Sequence, residues 1–495
     1  MNIFTPFRWF QLMTGLPVMA ATIALLLPGC ASMAPPYKVP ALPVSPVYAS
    51  NSSQEGASIT AIGWRDYFTS PQLQAVIAIA LENNRDLRTA VLRVAEMRAI
   101  YGIQRADQFP AINAQAGGDR IHLPADLSLT GESSESSLYH VALGQASWEI
   151  DFWGRVRNLK DAALENYLAT DSARRAAAIG LVAQVAGSYL SLRELDERLV
   201  LARRTIASRA ESLRIFTRRV EVGSTSRLDL TQVQTLLMQA QALGAQLEQL
   251  RAAQAHALTL LVGAPVDLPL MPEHLDEQSL HIELRAGLPS DLLIQRPDIV
   301  AAEYQLKAAH ANIGAARAAF FPRVTLTSFL GTASSELDGL FASGSLAWIF
   351  SPSISLPIFD GGRRQNNLSL AEARRDLAVA NYEKTVQSAF RDVADAMSAR
   401  RWLAEQSAIA RRALAVQTER ARLSQLRYDN GAAAFLEVLD AQRDLLAAEQ
   451  QVVQIRRALL TSRVSLYAAL GGSSMDFIAP LASDTLNSKR GTNSQ

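Results

Sequence analysis

The chain alternates between two rhythms of apolar and polar positions, one helical and one strand-like. Residues 155–222 and 363–430 are long proline-free stretches, rich in Ala, Leu, Arg and Glu with apolar and charged positions mixed throughout, and this predicts two single helices. At about 1.5 Å per residue each would run roughly 100 Å, too far to be buried in one compact core, so a tube, a stalk or a coiled coil is expected. Gly223 and Gly431 end these stretches, and helical patterning resumes through Leu261 and Leu470, which gives two helical hairpins with unequal arms. Shorter helical segments, 86–108 and 298–320, lead to Phe109-Pro110 and Phe321-Pro322. Stacked end to end on the short arms, they would nearly match the long helices.

Between each approach helix and long helix the period changes to two. In residues 346–358, Leu346, Trp348, Phe350, Ile354, Leu356 and Ile358 share one face while Ser351, Ser353 and Ser355 share the other, and residues 324–330 form the partner strand. Earlier, Ile112, Ala114 and Ala116 alternate with Asn113 and Gln115, followed by Tyr139, Val141 and Leu143. Strands of about ten residues with one apolar face suit a membrane β-barrel, whose polar loops, 125–137 and 333–343, are then extracellular. Four strands cannot close a barrel, and open edges are not tolerated in lipid, so closure must come from other copies of the chain. Three copies of four strands give twelve, and twelve helical columns would follow. Trp148, Trp153 and Trp348 either mark the bilayer interface or pack where strands meet helices; Trp153 favours the junction because it directly precedes Gly154 and the long helix.

The chain is written twice. At one constant offset Gly154-Arg155 falls on Gly362-Arg363, Arg203-Arg204 on Arg411-Arg412, Gly223 on Gly431, Leu228 on Leu436, Gln234 on Gln442, and Gly263 on Gly471. Upstream, at an offset four residues longer, Asp86 matches Asp298, Arg105 matches Arg317, and the two Phe-Pro pairs coincide. The expected divisions are a signal peptide at 1–29, an N-terminal tether and belt segment at 30–70, a first repeat at 71–263 with a β-hairpin at about 111–150 and a helical hairpin at 155–262, and a connector at 264–290. A second repeat at 291–471 has its β-hairpin at about 323–358 and its helical hairpin at 363–470, and a tail covers 472–495.

A formal net charge of +1 gives no reason to expect a nucleic-acid partner. After the N-terminus no run of about 20 apolar residues occurs, which argues against a spanning helix. At the start, Arg8 precedes an apolar stretch, 16–27, that is too short to span stably and ends in small residues and Cys30: the pattern of a secretory signal. Leu27-Pro28-Gly29-Cys30 resembles a bacterial lipobox, in which cleavage before the cysteine leaves a thiol for diacylglycerol modification. Cys30 is the only cysteine, so neither an intrachain disulfide nor a cysteine cluster can form, and lipidation is its expected use. From about 35 to 53 the chain is rich in Pro, Ser and Ala without periodicity, as an extended tether would be.

In their order, Leu288-Pro289-Ser290-Asp291-Leu292, Arg296-Pro297-Asp298-Ile299, residues 313–322, Leu356-Pro357-Ile358-Phe359 and Val438-Leu439-Asp440-Ala441-Gln442-Arg443 resemble outer-membrane factors of the TolC type, specifically the OprM-like lipoproteins that serve resistance-nodulation-division (RND) pumps. The resemblance covers nearly all of the chain. It implies a mixed α and β membrane protein: a homotrimer whose twelve-stranded outer-membrane barrel continues into a twelve-helix periplasmic barrel with an equatorial belt. It also implies a periplasmic adaptor, an inner-membrane RND transporter and outer-membrane lipid as partners, and passive export of drugs or other toxic small molecules. Rival readings are a duct for a metal-efflux or type I secretion system and a non-conducting periplasmic stalk; the alternation in 346–358 argues against the stalk.

The resemblance places the closed end and the adaptor contact at the hairpin tips, Gly223 and Gly431. Beside the second tip, Glu437 and Asp440 lie one helical turn apart, so three copies would form a ring of carboxylates with an apolar ring from Leu436. Asp229 and Tyr428 match a pair that links the hairpins in the closed state through a phenol-to-carboxylate hydrogen bond, while Ala433 stands where TolC has a second, arginine-mediated link. No enzymatic motif competes: there is no Gly-rich phosphate loop and no His-Glu-x-x-His helix. Gly361-Gly362-Arg363 is expected to be a strand-to-helix turn, and His274 and His281 surface residues of the connector. No cofactor or metal is called for.

Overall fold

The computed structural model describes residues 32–41, 44, 62–128, 131–270, 284, 293, 296–472 and 474–477. Cys30, the signal peptide, nearly all of the connector with His274 and His281, and the end of the tail lie outside the described residues. In chain order the elements are α1 (Trp64–Tyr67), α2 (Pro71–Asn83), α3 (Arg85–Ala106), β1 (Asn113–Leu123), β2 (Ser134–Glu149), α4 (Arg155–Glu221), α5 (Arg227–Val262), α6 (Pro297–Ala318), β3 (Arg323–Ser334), β4 (Leu346–Ser355), α7 (Arg363–Asp429) and α8 (Phe435–Ala469), then a 3-10 turn, Ser474–Phe477. Two compact units divide the chain, and neither is a sequence repeat: one joins residues 1–40, 95–169 and 302–382, the other 41–94, 170–301 and 383–495. Each unit draws on both repeats.

The first unit is built on one antiparallel sheet in the order β1-β2-β3-β4. Register aligns apolar residues in rows across all four strands: Ala114, Leu143, Leu330 and Trp348 in one, Ala116, Val141, Thr332 and Leu346 in the next. Leu143, Leu330 and Trp348 are 60%, 59% and 70% exposed, so this face has no partner within the chain. Opposite-facing rows include small or polar ones, such as Gln115, Ala142, Gly331 and Ala347, or Thr327 beside Ser351, and one with Phe329 beside Ile349. Toward the loops the apolar face ends in an Arg120–Glu135 ion pair with His122 beside it. An apolar band bounded by charge is the outer surface of a membrane sheet.

Strand β2 is longer than its alternation predicts, taking in residues 134–137 that look like loop, and a bulge between Gln145 and Trp148 resets its pairing with β3. Gln145 fills the gap, donating to the Leu326 carbonyl and accepting from the Trp148 amide. Gly144 and Gly331 are required by close approach, since a Cβ on either would lie 2.2 or 2.1 Å from a carbonyl oxygen of the neighbouring strand. The tryptophans divide: Trp348 stands on the apolar face, whereas Trp153 stacks on Phe321 at 4.7 Å and donates to the Pro322 carbonyl at the strand–helix junction. The positive-φ pair Gly361 and Gly362 forms the turn into α7, with Asp360 accepting from the Gly362 and Arg364 amides. The tether is docked where it is described: Tyr37 bonds Glu303 at 3.2 Å, Ser32 bonds Asn158, and Ala34 seats over Gly314, where a Cβ would come within 2.8 Å of it.

In the second unit the end of each short arm is bonded to the residue at the start of an approach helix, and the two joints use equivalent residues. Asn84, between α2 and α3, donates to the Leu261 carbonyl at 2.7 Å near the end of α5. Arg296, just before α6, donates to the Ala469 carbonyl at 3.0 Å at the end of α8. Asn84 and Arg296 are one repeat apart, as are Leu261 and Ala469. In α1, Tyr67 stacks on Tyr467 at 4.7 Å, and the Trp64 amide donates to Asp476, which ties α1 to the 3-10 turn. Among the described residues α4 is the one helix with a window apolar enough to cross a bilayer; half of that window is buried against the rest of the chain.

Candidate functional site

The two hairpin tips lie in the second unit and start from the same local geometry. Gly223 and Gly431 both take φ of 73°, a left-handed conformation that favours glycine. Around each, two amides fold back on the last helical turn: Gly223 to Val220 and Ser224 to Arg219, Gly431 to Tyr428 and Ala432 to Arg427. This closes both long helices with the same C-cap.

Beyond the turns the tips differ. Ser226 caps α5 in a reciprocal box: its hydroxyl accepts from the Asp229 amide at 3.1 Å, and the Asp229 carboxylate accepts from the Ser226 amide at 3.3 Å. The same carboxylate also takes the hydroxyls of Ser226 at 2.7 Å and Thr225 at 2.9 Å. These bonds, Ser226 first, hold the Asp229 carboxyl below its ordinary range. At the second tip the cap position is Ala434, which has no side-chain acceptor. Glu437, the repeat equivalent of Asp229, turns to Arg427 instead, at 2.8 and 3.1 Å. Asp440 pairs with Arg443 at 3.1 Å along α8, and Leu436 projects 48% exposed. The acidic pair therefore carries its own basic counterparts, which the acidic-ring expectation left out.

The expected Asp229–Tyr428 hydrogen bond is not formed in this chain. The capping box occupies the Asp229 carboxylate, and Arg219, in the last turn of α4, reaches the Tyr428 hydroxyl instead. An aromatic cluster joins the hairpins at this level: Phe216 lies 4.3 Å from Phe435, and Tyr428 4.9 Å from Phe435. Phe216, Val233 and Leu439 form the buried centre beneath it. Aromatic pairs of this kind contribute about 0.5–1.5 kcal/mol beyond their buried area, so Phe216–Phe435 and Tyr428–Phe435 both help to hold the tips together.

A second set of charged residues went unnoticed in the sequence. On α4, Arg193, Glu194, Asp196 and Glu197 are all buried, Asp196 to 1%. Asp196 takes Arg193 at 3.1 Å and Arg251 of α5 at 2.6 Å, Glu194 takes Arg457 of α8 at 2.8 Å, and Glu197 takes Arg456 at 3.1 Å. Buried charges persist only when paired in this way. The network ties both short arms to one long helix. A run of four charges in five residues ordinarily marks a solvated face; the clue was its position inside the most apolar long helix.

A four-stranded membrane-type sheet, two very long helices and two glycine-closed helical hairpins in one chain are the subunit architecture of TolC-like outer-membrane channels. The chain belongs to the outer membrane efflux protein family, whose model matches residues 76–264 and 288–472. It is 43% identical over 455 residues, 91% of this chain and 97% of the relative, to the solvent efflux pump outer membrane protein SrpC of Pseudomonas putida. It is also 43% identical over 459 residues to the outer membrane protein OprJ of Pseudomonas aeruginosa, covering 92% and 95% of the two chains. The open-state crystal structure of the MtrE outer membrane channel of Neisseria gonorrhoeae matches with a TM-score of 0.82 at 38% identity, over 90% of this chain and 98% of that one. The protein is an outer-membrane component of efflux, as its relatives are.

Proposed function

We propose that three copies of the chain assemble into a passive exit duct of a tripartite efflux system. A periplasmic adaptor would engage the tips around Gly223 and Gly431, and an inner-membrane RND transporter would supply the energy. Drugs, solvents and similar toxic small molecules are the cargo this reading assigns. The observation that carries it is the four-stranded sheet itself: one face apolar across every strand, with β1 and β4 left as open edges. Lipid does not tolerate such edges, and pairing β4 of one copy with β1 of the next in a ring of three removes them. A second observation supports the same assembly. Trp402, Ile409, Val416 and Leu423 recur every seven residues along α7 and are all exposed, which is an unpartnered coiled-coil seam.

In this reading Leu436, Glu437 and Asp440 ring the periplasmic end. Tyr428 is held through Arg219, and Asp229 stiffens the neighbouring tip. Acylated Cys30 anchors the N-terminus, while the strands make the pore. Native mass spectrometry in detergent and planar-bilayer recording test the proposal together: a trimer that conducts is expected, and a monomer or a non-conducting trimer would sink it.

A further inference from the structure

We propose that the loop between β3 and β4 docks on the loop between β1 and β2 of the next copy, with Leu337 and Phe341 seated against Leu127 as an apolar clasp at the outer mouth. The inference rests on the trimeric duct proposed above and adds a contact which that assembly does not require.

The β3–β4 loop is internally built. The Glu336 amide bonds Ser334 Oγ, and amides of Leu340, Ala342 and Ser345 bond the carbonyls of Leu337, Gly339 and Ala342. The Ala333 amide returns to the Ser345 carbonyl at 2.8 Å, and a Cβ on Gly339 would lie 2.7 Å from Ser334 Oγ. This framework turns Leu340 inward, yet holds Leu337 67% and Phe341 76% exposed. On the β1–β2 loop the amides of Leu127 and Ser128 both bond the Pro124 carbonyl, and Leu127 is 68% exposed. Large apolar side chains held out in water by their own loop are available to a contact with another chain.

Three partners compete for that contact. The two loops lie at the same end of one sheet, but all three side chains stay exposed within the chain, so they do not cover one another in a single copy. Lipid is disfavoured because the Arg120–Glu135 pair and His122 stand between the apolar band and this end of the sheet. The next copy remains. The β1–β2 loop borders edge strand β1 and the β3–β4 loop borders edge strand β4, so pairing β4 with β1 of the next copy, about 4.8 Å away, makes these two loops neighbours across the seam.

The test is a Leu127→Cys/Phe341→Cys double variant of the full-length protein, purified in detergent, treated with a mild chemical oxidant and run without reductant beside each single variant. Covalent dimers and trimers are expected in the double variant alone. A disulfide within one chain overturns the clasp, as do two thiols that stay open to a maleimide in a protein weighed as a trimer; both results leave the trimer standing. A protein weighed as a monomer overturns the trimer and the clasp together. Independently, Phe341→Ala and Leu337→Ala remove side chains that are exposed in the single chain, and they should lower the temperature at which the trimer dissociates in SDS. An unchanged temperature in both counts against the clasp.

Discussion

Asp229 and Glu437 stand at the same third position of the two tip helices, and of the two carboxylates only that of Asp229 bonds back to its own cap. The difference follows two residues, Thr225 and Ser226 against Ala433 and Ala434. With no hydroxyl to hold it, the second acid swings to Arg427 and ties the end of α7 to the start of α8. The sequence repeat thus supplies two similar tips, and these two substitutions make one self-contained and the other cross-linked.

Ala434→Ser should rebuild the missing box. A serine cap contributes about 1 kcal/mol, while an exposed ion pair contributes less than that, so Glu437 should leave Arg427 for the new cap. Slower hydrogen exchange at the first amides of α8 would report it, and Ser226→Ala should speed exchange at the start of α5. If Ala434→Ser leaves exchange unchanged, the Arg427 contact outweighs the cap.

The first tip should fray in acid. Because Ser226 and Thr225 lower the Asp229 pKa in the folded state, the contribution is full above the unfolded value of about 3.9 and is lost as pH falls through the lowered folded value. Protease cutting at the first tip should therefore stay flat from neutral pH to about 4 and rise below it. In Ser226→Ala with Thr225→Val cutting should already be faster at neutral pH, and the rise in acid should shrink because the folded pKa returns toward the unfolded one. A profile that ignores both substitutions would remove the capping account.

Steric and charge effects at the second tip should separate by residue. Leu436→Ala removes bulk and should raise single-channel conductance with little change in ion preference, while Asp440→Asn keeps size and should weaken cation preference. Arg427→Gln frees the Glu437 carboxylate and should strengthen cation preference. Three variants that conduct like the parent protein would place the constriction elsewhere.

Much of this architecture was legible, and the losses have identifiable causes. The long helices were visible to within a residue of Glu221 and Asp429 because glycine ends them in a conformation it adopts without cost. The start of β2 was hidden because Ser134, Glu135, Ser136 and Ser137 are polar on both faces, and the bulge at Gln145 breaks the alternation a period of two relies on. The Asp229–Tyr428 link came from resemblance, which does not weigh local competitors; a serine three residues before Asp229 is such a competitor. Burial of Arg193 to Glu197 depends on arginines more than fifty residues away, which periodicity cannot supply.

The two joints should differ in strength although they occupy equivalent positions. Asn84 is neutral and does two jobs, donating to the Leu261 carbonyl and accepting from the Leu87 amide to cap α3 at 2.8 Å. Asn84→Ala leaves both groups without that partner, a loss of about 1–2 kcal/mol. Arg296 is charged, and its side chain is 11% exposed; it grips Asp298 at 2.6 and 3.0 Å and Asp392 at 3.3 Å, and reaches the Ala389 and Ala469 carbonyls. Arg296→Met keeps most of the volume but leaves the Ala389 and Ala469 carbonyls without that donor, while Asp298 and Asp392, each 36% exposed, remain hydrated, so about 2–3 kcal/mol is expected. Arg296→Lys keeps the charge without the planar fork and should fall between the parent protein and Arg296→Met. Denaturant midpoints for the three variants check the order. If Asn84→Ala proves as costly as Arg296→Met, the charge at the second joint adds nothing to the bonding of α6 to α8.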